Sequence, residues 1–129
     1  MQIDEPGTVA EVRAAFAAYE AALMANDIEA LDRFFWDHPK VIRYGAAEVA
    51  KGKAALRAFR ANRPTTDLAR ELTDVVISTY GDSFATAFCE YRRKGSGRRG
   101  RQSQTWLRTP EGWRIVAAHV SLLADEAGR

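Results

Sequence analysis

GWRIVAAHVSLL, residues Gly112–Leu123, has the pattern of a β-strand that is apolar on both of its faces. Strands of this kind lie in the centre of a sheet and are covered on both sides. The face that begins at Trp113 continues, two residues at a time, to His119 and Ser121, whereas the opposite face ends on Val120. We therefore predict a central strand whose Trp113 face turns polar at one end and lines a cavity there.

Three further segments with a two-residue period precede this strand. They are Leu72–Tyr80, Phe84–Lys94 and Arg99–Thr109, and the turn Pro110-Glu111-Gly112 joins the last of them to the final strand. Consecutive strands joined by short turns pair in antiparallel fashion. The C-terminal half of the chain is therefore predicted to be an antiparallel meander.

Helical periodicity dominates the N-terminal half. An apolar stripe with spacings of three and four residues runs from Val9 to Leu23, and Asp4 or Thr8 is predicted as its N-cap. Two more helices and one short strand are predicted before the meander. These elements are Ile28–Phe35, Lys53–Asn62 and, for the strand, Val41–Gly45.

The predicted elements define an α+β domain over residues 1–129. Three N-terminal helices would pack on one face of a strongly curved antiparallel sheet and enclose a pocket. In the third helix, Leu56 and Phe59 are predicted to face inward, and Arg57 and Arg60 to face outward.

Composition narrows the class of protein. With 129 residues, 47% of them hydrophobic, the chain fits one globular domain. A net charge of only +2 gives no argument that the protein binds nucleic acid or a membrane surface. The single cysteine, Cys89, and an acidic start without an apolar signal core favour a cytoplasmic location. Because the only histidines are His38 and His119, a histidine-rich metal site is excluded, and we expect no metal or other cofactor.

The segment 92–101 holds six cations in ten residues. Arginines interleaved with glycines are able to contact nucleic acid. No aromatic residue lies within the segment, however, so a solvated hairpin tip or a subunit contact is the favoured interpretation.

Three motifs carry a resemblance to a known fold and family: FFWDHPKVIRYG at 34–45, GRQSQTW at 100–106 and GWRIVAAHVSL at 112–122. The whole pattern resembles the cystatin-like cone of the SnoaL-like, or nuclear-transport-factor-2-like, proteins. The three motifs together are similar to the AtzH-like family, which includes the HpxZ-like oxalurate catabolism proteins.

This resemblance implies a function and two site residues. An AtzH-like member is described as acting on 1,3-dicarboxyurea, a carboxylated urea, as part of s-triazine degradation. A tyrosine on the first helix and an arginine on the first strand are proposed as key residues of that family, and they match Tyr19 and Arg43 here. Proteins of this fold commonly pair through the outer face of the sheet, so a homodimer is expected.

Each of these two residues also has an ordinary structural interpretation. Arg43 has a guanidinium that matches a substrate carboxylate in two parallel hydrogen bonds; it would otherwise face outward or pair with an internal acid. Tyr19 lies on the apolar stripe of the first helix, where its hydroxyl would orient or protonate a substrate, or simply find a backbone partner.

Four further residues are candidates for substrate binding. His119 has the chemistry of an acid or base near neutral pH but would equally suit the core, and Ser121 shares its predicted face without the context of a serine triad. Gln104, close to a tryptophan, would either form part of a pocket wall that recognises an amide or carboxylate, or belong to a row of side chains on the surface of the sheet. Trp36 suits a lid or wall, or the core. Glu90 is considered as an ion-pair partner for a pocket arginine.

The leading hypothesis is a small cofactor-free enzyme that hydrolyses or decarboxylates a carboxylated urea, with Tyr19 and Arg43 as catalytic residues. The alternative is a non-catalytic accessory or assembly subunit of an amidase that binds a small anionic ligand. Neutralisation of Arg43 by Glu90, or obstruction by Trp36, would favour that alternative. An isomerase of the steroid type ranks lower because no carboxylate is placed to act as its base.

Overall fold

Helix α1 spans Pro6–Ala25 in the computed structural model of the chain, which describes residues 1–124. Its N-cap is Glu5, whose carboxylate accepts hydrogen bonds from the backbone N–H groups of Gly7 and Thr8 at 3.0 and 2.7 Å. These bonds satisfy donors that the first helical turn leaves without a partner. The prediction of Asp4 or Thr8 as the cap is therefore wrong.

Two shorter helices follow. Helix α2 covers Ile28–Phe34 and is capped by Asp27, whose carboxylate accepts a hydrogen bond from the backbone of Ala30 at 3.2 Å. Helix α3 covers Lys53–Asn62, as the sequence predicts. The three helices thus lie in the N-terminal half of the chain.

Within residues 1–124, six strands form one sheet with the order β2-β1-β6-β5-β4-β3. Their bounds are β1 Ile42–Tyr44, β2 Val49–Lys51, β3 Arg70–Tyr80, β4 Phe84–Arg93, β5 Arg99–Thr109 and β6 Gly112–Leu122. Strand β6 lies between β1 and β5, which confirms it as a central strand. It pairs with β5 in antiparallel fashion, which completes the predicted meander, but with β1 in parallel, so the sheet is not antiparallel throughout as predicted.

A β-bulge at Val116 interrupts the pairing of β6 with β5. Thr105 lies opposite Ala117 and Trp106 lies opposite Ile115, so Val116 has no partner in the register. An extra residue in one strand shifts its side-chain alternation by one position from there on.

The bulge moves the polar end of β6 to the outer face of the sheet. Trp113 is buried on the inner face before the bulge, whereas Val120 is the inward residue after it. His119 and Ser121 point outward instead, opposite Ser103 and Arg101 of β5. The prediction that they share the face of Trp113 is therefore wrong.

A second bulge lies in β3, where the register shifts after Thr73 and Asp74 has a left-handed φ of 52°. Arg70 is buried on the inner face before this bulge. Beyond it, Val76 is exposed on the outer face. Bulges increase the local twist and bend of a strand, and both of these accompany the curvature of the sheet.

The core lies between the helices and the inner face of the sheet. Tyr19 packs edge-to-face against Phe34, Phe35 and Trp106, with ring centroids 6.0, 6.0 and 6.5 Å away. Edge-to-face contacts of this kind contribute beyond the area they bury. The ring of Tyr19 is therefore fixed by both helices and sheet.

Within residues 1–124, no helix is both long enough and apolar enough to cross a lipid bilayer.

Candidate functional site

A cavity opens between α1, α3 and the inner face of the sheet. The cavity has a volume of about 60 Å³, which is smaller than the roughly 300–1,000 Å³ of sites for drug-sized ligands, so it suits only a small ligand. Arginines dominate its lining. Its polar lining consists of Tyr19, Arg43, Arg60, Arg63, Asp67, Arg70, Tyr91, Arg93 and Gln102.

Arg60 is the innermost of these arginines, with 3% of its surface exposed. Its Nη2 donates a hydrogen bond to the hydroxyl oxygen of Tyr19 at 3.0 Å. Its guanidinium carbon lies 5.5 Å from the ring centroid of Phe35 and 5.3 Å from that of Phe59. Among the described residues, its Nε and Nη1 have no hydrogen-bond partner although both are buried. A buried cation with unused donors is costly and therefore calls for an anion.

Arg43 reaches the same cavity from β1. Its Nη1 forms an ion pair with Oε1 of Glu48 at 2.9 Å, and its guanidinium carbon lies 4.3 Å from the ring centroid of Phe59. A side chain at Gly45 would overlap the Glu48 carboxylate, so the glycine makes room for this pair. The acid that forms an ion pair with Arg43 is therefore Glu48.

Arg70 is held by an internal carboxylate. Its Nε and Nη2 donate to the two carboxylate oxygens of Glu20 at 3.1 and 2.6 Å, and Nη2 also donates to Oε1 of Gln102 at 2.9 Å. Gln102 in turn donates from Nε2 to Glu20 at 3.2 Å. Burial acts to lower the pKa of Arg70, but the Glu20 carboxylate outweighs it and the pKa is raised. This network forms a rigid, charge-balanced wall.

Arg63 follows the end of α3 and lies near the mouth. Its Nη2 donates to Oδ1 of Asn26 at 3.1 Å, whereas its buried Nε has no partner among residues 1–124. Burial, followed by the like charge of Arg60, lowers the pKa of Arg63 to about 10. The guanidinium is still protonated at neutral pH, so the cavity keeps its positive charge.

The structure brings the two predicted catalytic residues, Tyr19 and Arg43, into this one cavity. Gln104 is buried on the inner face of β5, but its Oε1 accepts a hydrogen bond from Nε1 of Trp106 at 3.0 Å, and it is not among the lining residues. The amide of Gln104 thus positions the indole in the core.

The other predicted binding residues lie elsewhere. His119 and Ser121 border a shallow groove on the outer face of the sheet. Trp36 stacks on His38, with ring centroids 3.9 Å apart, and borders a separate polar surface groove. Trp36 therefore does not obstruct the cavity that holds Arg43.

Glu90 also lies on the outer face, where it pairs with Nε of Arg101 at 3.1 Å. The acids that pair with Arg70 and Arg43 are the buried Glu20 and the partly exposed Glu48, which the sequence interpretation did not single out.

Sequence reasoning also misplaced or missed several arginines. The outward orientation predicted for Arg60 is wrong, and the inward roles of Arg63 and Arg70 were not foreseen. A signal for one of them exists: Arg60 follows the buried Leu56 by four residues, which puts both on one face of α3.

Cys89 is buried in the inner wall, as predicted for a small apolar side chain. Burial raises the pKa of its thiol to about 11, so it is not a nucleophile near neutral pH. Residues 1–124 contain no group of three or more histidine, cysteine, aspartate or glutamate side chains placed to hold a metal ion. The functional groups at the cavity are guanidinium groups, the phenols of Tyr19 and Tyr91, the amide of Gln102 and the carboxylate of Asp67.

Comparison with known families agrees with these features. The model of the AtzH-like family matches residues 1–126. The chain belongs to the AtzH-like family. A search of curated proteins finds no match.

Solved structures support the same fold for this AtzH-like protein. A protein of unknown function from Pectobacterium atrosepticum is 50% identical, with 95% of each chain covered and a TM-score of 0.92. A cystatin-like fold protein from Burkholderia xenovorans is 46% identical, with 97% of this chain and 98% of that chain covered and a TM-score of 0.91.

A more distant neighbour, a ketosteroid isomerase-like protein from Erwinia carotovora, is 20% identical, with 94% of this chain and 100% of that chain covered and a TM-score of 0.74. At this identity the likeness shows the fold alone. The prediction of a cystatin-like, nuclear-transport-factor-2-like cone is confirmed.

Proposed function

We propose that this AtzH-like protein is a cofactor-free enzyme that acts on a small carboxylated urea in ureide, oxalurate or s-triazine-type nitrogen catabolism. The observation that carries the proposal is the buried guanidinium of Arg60, whose Nε and Nη1 lack partners among the described residues, beside the hydroxyl of Tyr19. A carboxylate is the small anion whose geometry best matches such a fork.

Substrate binding would use the arginines that meet at Phe59. The guanidinium carbons of Arg43 and Arg60 lie 4.3 and 5.3 Å from the centroid of that ring. A carboxylate between them would complete the hydrogen bonds of Arg60 and share the charge of Arg43. The rings of Phe35 and Phe59 lower the local polarity beside Arg60, which would strengthen these contacts.

Tyr19 would supply the proton. Its hydroxyl oxygen accepts a hydrogen bond from Arg60, which leaves the hydroxyl hydrogen for another acceptor. In decarboxylation of an N-carboxylated urea, the bond between nitrogen and the carboxylate carbon breaks and its electron pair goes to nitrogen. Nitrogen then takes the proton of Tyr19, solvent restores that proton, and carbon dioxide leaves. In hydrolysis, water would instead add to the carbonyl carbon before the carbon–nitrogen bond breaks.

One observation favours a second candidate function. The charge of Arg43 is already balanced by Glu48 at 2.9 Å. A site that only binds a ligand, without catalysing a reaction, would tolerate this pairing. The second candidate is therefore an accessory or assembly subunit of an amidase, which would hold a small anionic ligand in the same cavity.

The experiment that separates the two functions measures carbon dioxide and ammonia release from carboxylated ureas and oxalurate. Wild type is compared with Arg43→Ala, and with Arg57→Ala as a control on the exposed face of α3. Turnover by wild type and by Arg57→Ala, lost in Arg43→Ala with unchanged thermal unfolding, is the expected result. No turnover by pure wild type would overturn the enzymatic proposal and lead to a search for a bound amidase.

A further inference from the structure

Arg43 and Arg70 use different edges of the guanidinium group to bind their acids. Arg70 donates from Nε and Nη2 to the two carboxylate oxygens of Glu20, at 3.1 and 2.6 Å, which is the two-point geometry in which arginine matches a carboxylate. Arg43 instead donates from Nη1 to Oε1 of Glu48, at 2.9 Å. Its Nε and Nη2 make no hydrogen bond within residues 1–124, and neither atom is fully buried. The edge that Glu20 occupies on Arg70 is therefore open on Arg43.

Glu48 reaches Arg43 from outside the cavity. Of these two residues, only Arg43 lines the cavity, and the side chain of Glu48 is 37% exposed. Glu48 lies in the turn between β1 and β2, where its carbonyl oxygen accepts a hydrogen bond from the backbone N–H of Gly45 at 2.8 Å. Its Oε2 also accepts one from the backbone N–H of Ala47 at 3.3 Å. The carboxylate thus holds Arg43 without taking up space that a ligand needs.

Gly45 makes this contact possible. A β-carbon at this position would overlap the carboxylate of Glu48 and would lie 2.8 Å from Nη1 of Arg43. The φ of Gly45 is not positive, so its backbone conformation is open to other residues. The absence of a side chain at position 45 therefore serves the ion pair rather than the turn.

We propose that Glu48 is a positioning residue, which orients Arg43 so that its Nε and Nη2 bind an anion in the cavity. This inference rests on the proposed function for the place of that anion. A long side chain that is already held does not have to be ordered when a ligand binds, and the ring of Phe59, 4.3 Å from the guanidinium carbon, adds to this hold. The negative charge of Glu48 acts in the opposite direction because it repels an anion. The contact with Nη1 and the charge of Glu48 thus have opposite effects on anion binding, and substitutions separate them.

The test measures the binding of oxamate, a stable small anion with one carboxylate beside an amide, by titration calorimetry. Two variants break the contact with Arg43 but keep the charge: Glu48→Asp is shorter by one methylene, and Gly45→Ala displaces the carboxylate. Glu48→Gln keeps an oxygen that accepts from Nη1 but removes the charge. Glu111→Asp, an exposed glutamate in the turn between β5 and β6, is the matched control. Thermal unfolding checks the fold of every variant.

Glu48→Asp and Gly45→Ala should each bind oxamate about 3- to 10-fold more weakly than wild type, which is the cost of ordering one long side chain on binding. Glu48→Gln should bind it as tightly as wild type or more tightly, and Glu111→Asp should match wild type. A merely structural role of Glu48 would not give this order, because loss of a stabilising charge would affect Glu48→Gln at least as strongly as Glu48→Asp.

Three outcomes would overturn the inference. They are a wild type that does not bind oxamate, a folded Glu48→Asp or Gly45→Ala that binds it at least as tightly as wild type, and a Glu48→Gln that is weakened as much as Glu48→Asp. The second of them would mean that Glu48 blocks Arg43 instead of orienting it.

The binding test does not depend on turnover. A protein that releases no carbon dioxide but gives the expected order of affinities would refute the enzymatic function and leave the role of Glu48 intact. Turnover together with equal affinities of wild type and Glu48→Asp would do the reverse.

Discussion

The hydroxyl oxygen of Tyr19 lies 3.0 Å from Nη2 of Arg60 and accepts its hydrogen bond, which joins α1 to α3 at the inner end of the cavity. Both residues are buried, and the bond is the single one that Arg60 makes within the described part of the chain. The position of this guanidinium is therefore set by Tyr19 and by the rings of Phe35 and Phe59.

Tyr19→Phe should reduce both turnover and stability. The change removes the only acceptor that Arg60 has within the described residues, so a third buried donor loses its partner at a cost of about 1–3 kcal/mol. Urea unfolding measures the loss of stability, and release of carbon dioxide measures turnover. Tyr44→Phe, an exposed tyrosine on β1, is the matched control. Full turnover in Tyr19→Phe would exclude the hydroxyl as the proton donor.

Arg60→Met should stabilise the fold while abolishing turnover. Methionine keeps the apolar contacts with Phe35 and Phe59 but removes a buried charge that no acid among residues 1–124 balances, so the free energy of unfolding is expected to rise by about 1 kcal/mol or more. Urea unfolding without added ligand is the measurement. Arg57→Met is the control on the exposed side of α3 and should change stability by about 0.5 kcal/mol or less. A destabilised but folded Arg60→Met would indicate that Arg60 serves the fold rather than a ligand.

The fold was predictable because its signals are local. The stripe of α1 and the double-faced pattern of β6 depend only on residue spacing, and the structure has both. The face of His119 was not predictable, because it depends on an extra residue, Val116, that neither glycine nor proline marks. The position of the extra residue is determined by the pairing of β6 with β5 in the folded sheet, which sequence spacing does not report.

The site was predictable only in part for a different reason. Tyr19 and Arg43 were found through the resemblance to the family, and their catalytic roles stay predictions. Arg60 was placed outside because arginine is rarely buried without a partner. This rule about buried arginines fails at positions where a protein keeps an unpaired charge for a ligand. Those positions are therefore the ones that indicate a binding site.

Glu20→Gln should be among the most destabilising conservative changes in the chain. The carboxylate receives two hydrogen bonds from Arg70 and one from Gln102, and its loss leaves Arg70 as an uncompensated buried charge. Removing one partner of a buried pair costs about 3–5 kcal/mol. Glu90→Gln, which breaks the exposed pair with Arg101, is the control and should cost about 1 kcal/mol or less. If the two changes lowered the free energy of unfolding equally, the interpretation of Glu20, Arg70 and Gln102 as a buried, charge-balanced network would be wrong.

Cys89 should make the fold sensitive to alkali. Burial raises the pKa of its thiol from 9.0 to about 11, so between these values the unfolded chain loses the proton and the folded chain keeps it. The stabilising contribution is therefore complete below about pH 9 and is lost as the pH rises through about 11, by about 3 kcal/mol in all. Cys89→Ala lacks this contribution, so the difference in unfolding free energy between wild type and variant should shrink over this pH range. A constant difference would show that the thiol ionises equally in both states.

The outer face of the sheet is where the expected homodimer would form. Val76 and Phe88 are cross-strand neighbours on that face and are 56% and 54% exposed. Two large apolar side chains side by side favour association with a second apolar surface. Sedimentation of wild type should give twice the mass of the 14.3 kDa chain, and Phe88→Glu should give the monomer because each interface would then bury two like charges.

Met24→Glu, an equally polar change on an exposed position of α1, should leave the dimer intact. A wild type that sediments as a monomer would refute the dimer, and a dimer that survives Phe88→Glu would move its interface to another surface.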